Sequence, residues 1–304
     1  DNGRSRGLGD VYKRQLDESN FWSKVGLLDG DPENRGSVPL KEENVERLDE
    51  YMRAFNQPVS RVSLEQGEYA NTGFTQWGAS GLAAAWAEEN TRESIFNAFR
   101  RKETFATTGT RIAVRFFGGY NLSSIDLNSE SLVSEAYQKG VTMGSDLLHN
   151  ENKIPEFLVW AQRDKNGAPL QRIQIIKGWI DNNSGRPKEK VFDVACSDGM
   201  QPDPITNRCP DNGARVNIND CSISTNVGSS ELKTVWKDPE FAPDDKTFYY
   251  VRVLENPTCR WSTWDAIKAG YKPREGLHET IQERAWSSPT VSYTHLRAHE
   301  TVHY

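Results

Sequence analysis

Seven segments after residue 110 are dense in β-branched and aromatic residues, which commits that half of the chain to β architecture: residues 111–117, 156–163, 170–180, 190–195, 230–236, 247–255 and 281–286. Seven strands of this kind predict a sandwich of two sheets. Asn166-Gly167 lies between the second and third segments and is the strongest local hairpin signal, because a type I′ turn needs positive φ at both central positions. Residues 121–155 and 181–190 read as polar connections.

Before residue 110 the pattern changes. KEENVERLDEYMRAF carries Val45, Leu48, Met52 and Phe55 at helical spacing and predicts an amphipathic helix, whereas residues 16–40 are rich in Gly, Asp and Pro and read as loop. The run GLAAAWAEENTRESIFNAFRRKETFATTG, residues 81–109, reads as a short strand over 82–87, an acidic turn, and a helix starting at Thr91. Asn90 and Glu93 have the capping-box spacing, and Arg100, Arg101 and Lys102 sit where cations complement the helix dipole. The chain then returns to a strand. Read together these are the strand, loop and helix of an α/β barrel, whose strand-to-helix loops build the active face. That logic makes Trp86, Glu88, Glu89, Asn90 and Arg92 the substrate-pocket candidates. The same residues also have a purely structural reading, in which Asn90 and Glu93 cap the helix and Arg92 pairs with a neighbouring carboxylate.

Both ends of the chain read differently from the rest. GDVYKRQ and SYTHLRAHETV look like translated sequencing-adapter read-through, which sets aside residues 1–15 and 291–304 and leaves 16–110 as the barrel part and 111–290 as the sandwich-like domain. His299-Glu300-Thr301-Val302-His303 matches H-E-x-x-H, but it falls inside the adapter-like stretch with no room for a third ligand, so the zinc-protease reading is rejected. Net charge is −6 with no basic cluster beyond the end of the predicted helix, which argues against nucleic acid as a partner. No apolar run approaches the roughly 18 residues a membrane-spanning helix needs.

All four cysteines, Cys196, Cys209, Cys221 and Cys259, fall in the C-terminal half without C-x-x-C spacing, which favours disulfides over a zinc site. Three connectivities are possible. The polar loop bracketed by the first two favours Cys196 with Cys209, and so Cys221 with Cys259; disulfides imply an oxidising, extracytoplasmic compartment.

The segments GLAAAWAEENTRESIFNAFRRKETFATTGTRIAVRFFGG, FLVWAQRDKNGAPLQRIQIIKGW, EKVFDVACSD, ELKTVWKDPEFAPDDKTFYYVRVLENPTCRWSTWDA and TIQERAWSSP resemble the C-terminal part of the bacterial family called domain of unknown function 3604, itself similar to the PHP (polymerase and histidinol phosphatase) metal-dependent hydrolases. The resemblance implies the remnant of a distorted α/β barrel followed by a β-sandwich-like domain. It also implies divalent metals at the barrel mouth of the intact protein, where clustered metals activate water and clamp the oxygens of a phosphate ester. The partner would be a small-molecule substrate. The metal-binding His-x-His and Asp-x-His motifs of such enzymes have no counterpart here: His149 and His278 lie in neither arrangement, so no metal ligand is assigned and the chain alone is expected to be inactive. A second reading makes the β-rich half a binding module for saccharide or peptide, with Arg260, Trp261, Trp264 and Asp265 as its platform.

Overall fold

Alternation of apolar and polar residues along the C-terminal strands gives each of them one core face, and two such faces must meet. A computed structural model describes residues 32–293, apart from 34, 54–59, 72–74, 76–77, 79–80, 149, 151–152, 183 and 244. His149 and the H-E-x-x-H segment therefore lie outside the described residues, as does nearly all of both adapter-like ends. The described chain begins with helix α1 (Glu42–Arg53) and a hairpin of β1 (Arg61–Leu64) and β2 (Gly67–Ala70). Strand β3 (Leu82–Ala85), helix α2 (Arg92–Arg100) and strand β4 (Thr104–Thr107) follow, then β5 (Ala113–Gly119). Helix α3 (Leu132–Lys139) leads into short strands β6 (Gly140–Thr142) and β7 (Asp146–Leu148). Long strands come next: β8 (Glu156–Gln162), β9 (Leu170–Ile180), β10 (Pro187–Cys196), β11 (Glu231–Lys237) and β12 (Thr247–Glu255). The chain closes with β13 (Thr258–Cys259), α4 (Trp261–Lys268), β14 (Thr280–Ile281), β15 (Arg284–Ser287) and β16 (Thr290–Tyr293).

Two sheets form the body. One runs β10-β9-β12-β15-β4-β3, with β16 joined to β12 and, in parallel, to β7; the other runs β11-β8-β5-β6. Their inner faces interdigitate: Val114, Phe116, Phe157, Val159 and Ala161 of the second sheet pack on Ile173, Ile175, Phe192, Tyr249, Val251, Val253 and Ala285 of the first. The fold is thus β-rich and no closed barrel is present among the described residues, with β3 and β4 extending the same sheet as the strands beyond residue 110.

Three local expectations are corrected. The strand–helix–strand unit over residues 82–107 exists, but β3 pairs antiparallel with β4, whereas a barrel repeat requires parallel strands. The Asn166-Gly167 turn does not make a hairpin, because β8 and β9 belong to opposite sheets. Asp164 organises this turn instead: its carboxylate accepts the Asn166 N–H at 2.9 Å and the Arg111 N–H at 2.8 Å, and its carbonyl accepts the Gly167 N–H at 3.0 Å. Finally, the supposedly polar connection 121–155 contains α3, which with the turn at Leu122–Ser124 covers the outer face of the second sheet through Leu122, Ile125, Leu132 and Ala136 against Phe117 and Leu158.

Disulfides join Cys196 to Cys209 and Cys221 to Cys259, the favoured pairing. They restrain the long, strand-poor connection between β10 and β11, tying it to the end of β10 and to β13. The sandwich also encloses an ion pair: Lys177 lies 2.7 Å from Asp238, both buried, and Asp238 accepts the Tyr249 hydroxyl at 2.7 Å. Burial, then the Asp238 charge, pushes the Tyr249 phenol far above its usual range. No described helix is long and apolar enough to cross a membrane.

Candidate functional site

The antiparallel ladder of β3 and β4 continues one step past the strands, where the Trp86 N–H donates to the Glu103 carbonyl at 3.0 Å. This sets an indole and a carboxylate side by side at the mouth of the α2 loop. The Trp86 ring is pinned by its own Nε1–H, which donates to the Val114 carbonyl of β5 at 2.8 Å, and by Phe105 at 5.8 Å between centroids. Arg115, one residue further along β5, lies with its guanidinium 3.7 Å from the Trp86 ring centroid. That distance makes a cation–π stack, a contact guanidinium suits because it is planar and weakly hydrated.

Helix α2 delivers the remaining charges. Its N-cap is Thr91, whose hydroxyl accepts the Ser94 N–H at 3.3 Å, so the helix begins one residue later than the Asn90 capping box predicts. Ser94 accepts the Glu89 N–H at 3.1 Å and donates to Glu88 at 3.0 Å. Hydrogen bonds from its own N–H and from Ser94, together with Arg101, hold the Glu88 carboxyl below its usual range. Arg101, just past the helix end, bridges Glu88 at 3.0 Å and Glu103 at 3.5 Å.

Glu103 is the buried centre of this group, only 2% exposed. A buried carboxylate needs several partners to offset lost hydration. Besides Arg101 it accepts the hydroxyl of Thr142 in β6 at 3.1 Å and that of Tyr137 in α3. Arg115 donates to the Tyr137 oxygen at 3.2 Å, completing a chain from Arg115 through Tyr137 and Glu103 to Arg101. Burial, then the hydrogen bond to Glu103, pushes the Tyr137 phenol upward, so it stays protonated at neutral pH. Gly144 fixes the turn after β6: its φ is +82°, and a Cβ there would meet the Lys102 carbonyl at 2.3 Å. Such close approach seats Thr142 beside Glu103.

These residues line a cleft of about 550 Å³, bounded by Trp86, Glu88, Arg101, Glu103, Arg115 and Tyr137. A second hollow of about 400 Å³ shares Trp86 and Arg115 with it and is walled by Trp160 and Val133. Arg115 is the one charged residue common to both.

Of the five pocket candidates, Trp86 and Glu88 line the cleft, whereas Glu89 and Asn90, exposed on the loop, and Arg92, exposed in the first turn of α2, do not line it. Glu103, Arg115 and Tyr137 were not foreseen. They come from the turn before β4, from β5 and from α3, and only the sandwich brings them together. Of the alternative platform, Arg260, Trp261 and Asp265 are buried in packing contacts, whereas Trp264 is partly exposed. Trp261 is 4% exposed, Asp265 is held by Arg35 at 2.9 Å and by the Ser37 hydroxyl at 2.6 Å, and the buried Arg260 lies 4.5 Å from the Trp261 ring while donating to the Thr75 carbonyl at 2.9 Å. These residues fasten Arg35, Ser37 and Thr75 to α4.

The cleft does not fit a divalent-metal centre, because both of its carboxylates are engaged by Arg101. Among the described residues there is no group of three His, Cys, Asp or Glu placed to hold a metal ion.

Comparison with known families matches the chain to a family described as protein of unknown function (DUF3604), over residues 12–294. No curated protein and no solved structure matches the chain.

Proposed function

The chain belongs to the DUF3604 family, and from that premise we propose that it is the C-terminal portion of an extracytoplasmic, PHP-like metal-dependent hydrolase of phosphate esters, in which the cleft at Trp86 and Arg115 receives the substrate. Divalent metals of the intact protein would supply the activated water, and no residue lining this cleft is assigned to hold them. The observation that supports this reading is the immobilised guanidinium of Arg115, stacked on Trp86, tied to Tyr137 and facing two connected hollows. A fixed guanidinium suits a phosphoryl group because its N–H donors match oxyanion geometry and little freedom is left to lose on binding. Trp86 and Trp160 offer apolar wall for the organic part of an ester. Glu103 positions Tyr137 and Arg101 without touching the substrate itself. The two disulfides accord with an oxidising compartment.

The test is to assay the longest reading frame containing this chain with divalent metals against a panel of phosphate esters. Metal-dependent turnover is expected there, and none from the present chain alone. Arg115→Ala should raise KM about tenfold, the worth of one charged hydrogen bond, with a smaller change in kcat. Absence of turnover with every metal and ester, or an Arg115→Ala protein with unchanged KM, contradicts the reading.

A further inference from the structure

The outer face of the large sheet carries cations in an otherwise acidic protein. Residues directly paired across antiparallel strands share a face. Arg172 of β9 and Arg284 of β15 both pair with Leu254 of β12, so the two arginines flank Leu254. In the next row Arg252 stands between Gln174 and Trp286. These residues alternate with the core-facing Ile173, Val253 and Ala285, which places them on the side away from the sandwich interior. Arg215, from the connection restrained by the disulfides, closes the same region: Arg172, Arg215 and Arg284 line one open groove of about 450 Å³ with Gln171, Gln282 and Asp211.

The guanidinium groups there are held in place. Gln171 accepts from Arg172 at 3.0 and 2.6 Å, and Gln282 in turn donates to Gln171 at 2.9 Å. Arg172 also donates to the buried Asp193 at 3.1 Å. Arg215 donates to the Ala214 carbonyl at 2.8 Å and to Asp211 at 3.1 Å. Arg284 spends only its Nε, on the Gln282 carbonyl at 3.2 Å, and has no carboxylate partner among the described residues. Asp211 is the single acid lining the groove. Its carboxyl is held below the usual range by the Arg215 hydrogen bond, the Gly213 N–H, the Arg215 charge and the more distant Arg172. Three guanidinium groups against Asp211 in the groove and Asp193 behind Arg172 still leave the groove cationic, and the side-chain amides of Gln171 and Gln282 add uncharged polar lining.

From this we infer a second binding site, a groove on the outer face of β9, β12 and β15 that takes a small molecule bearing at least two oxyanion groups, carboxylate, sulfate or phosphate, spaced to reach both Arg284 and Arg215. Three guanidinium groups distributed around a groove this wide favour a ligand with several charged groups over a single tetrahedral anion, because one such anion reaches only part of the donor set. Arg172 is oriented by Gln171 and half-neutralised by Asp193, so Arg284 and Arg215 carry most of the recognition.

The test titrates the whole chain by calorimetry, at matched ionic strength, with citrate and digalacturonate as two sources of multiple carboxylates, inorganic sulfate as the single anion, and cellobiose as the neutral control. Matching ionic strength removes general screening from the comparison. Citrate or digalacturonate should bind about tenfold or more tightly than sulfate, cellobiose should not bind, and the double variant Arg215→Gln/Arg284→Gln should lose at least about tenfold. Arg115→Ala should bind like the unmodified chain, which separates this groove from the Trp86 cleft and from the hydrolase reading. Arg284 lies on the outer face of the sheet and the Arg215 side chain is largely exposed, and circular dichroism establishes that the double variant is folded. Failure of both multivalent probes to bind at about 10 mM, equal affinity for citrate and sulfate, or an unchanged affinity in the double variant overturns the site.

Discussion

The sandwich interior and the Trp86 cleft both contain a buried carboxylate, and they use it in opposite ways. Inside the sandwich, Asp238 is enclosed on all sides: its cation Lys177 is 3% exposed, Tyr249 donates to it, and Phe157 and Trp236 pack against the Tyr249 ring. In the cleft, Glu103 is equally buried, but its partner Arg101 is 40% exposed and hands on to the exposed Glu88. The first arrangement lets nothing in. The second fixes donors at a surface a ligand can reach. A closed network contributes to a single native packing, whereas an open one keeps charge ordered yet available, as a binding site requires.

The largest difference between the two regions should show on removing each carboxylate. Asp238→Ala leaves a buried ammonium uncompensated and should destabilise the protein by about 3–5 kcal/mol, measured by denaturant unfolding. Loss of the Cys196–Cys209 bond through a double Cys→Ala change should cost about 3 kcal/mol, because the loop it closes spans 13 residues. Glu103→Gln keeps the shape of the cleft and some hydrogen bonding, so the expected cost is smaller, about 1–3 kcal/mol. Equal losses for Asp238→Ala and Glu103→Gln would erase the comparison. Glu88 marks the lower end. Its carboxyl titrates below the usual range, so whatever it adds is present at neutral pH and is lost only as pH falls through that lowered value. Glu88→Gln should therefore lower the unfolding midpoint only slightly at pH 7, the smallest loss of the series, and the difference from the unmodified chain should vanish once pH falls below that lowered value.

Much of the sandwich was legible because its strands carry their own evidence. Residues 170–180 and 247–255 are found as β9 and β12 with the limits the composition gives, and the cysteine pairing followed from one polar loop needing closure. Errors arose where distant residues decide a local outcome. Asn166-Gly167 has the turn chemistry of a hairpin, but Asp164 recruits the Arg111 N–H and the chain crosses to the other sheet. The helix over 132–139 is short and mostly polar, and its apolar residues Leu132 and Ala136 gain meaning only against Phe117 and Leu158. The cleft was half visible. Trp86 and Glu88 follow from the strand-to-loop transition, whereas Tyr137 sat in a stretch read as connection and Arg115 on a strand read for its apolar neighbours. Glu103 left one local trace, an acid directly after Arg101-Lys102 and directly before β4, but nothing near it in sequence shows that it is buried.

The central claim is that a phosphate ester is received at the Trp86–Arg115 cleft rather than at the tryptophans of α4. Titrating the chain with phenyl phosphate while following the tryptophan indole N–H resonances tests this directly. The account predicts that the Trp86 resonance moves with saturation while those of Trp261 and Trp264 stay fixed, and that Arg115→Ala abolishes the movement. A stationary Trp86 signal, or shifts confined to Trp261 and Trp264, would contradict it.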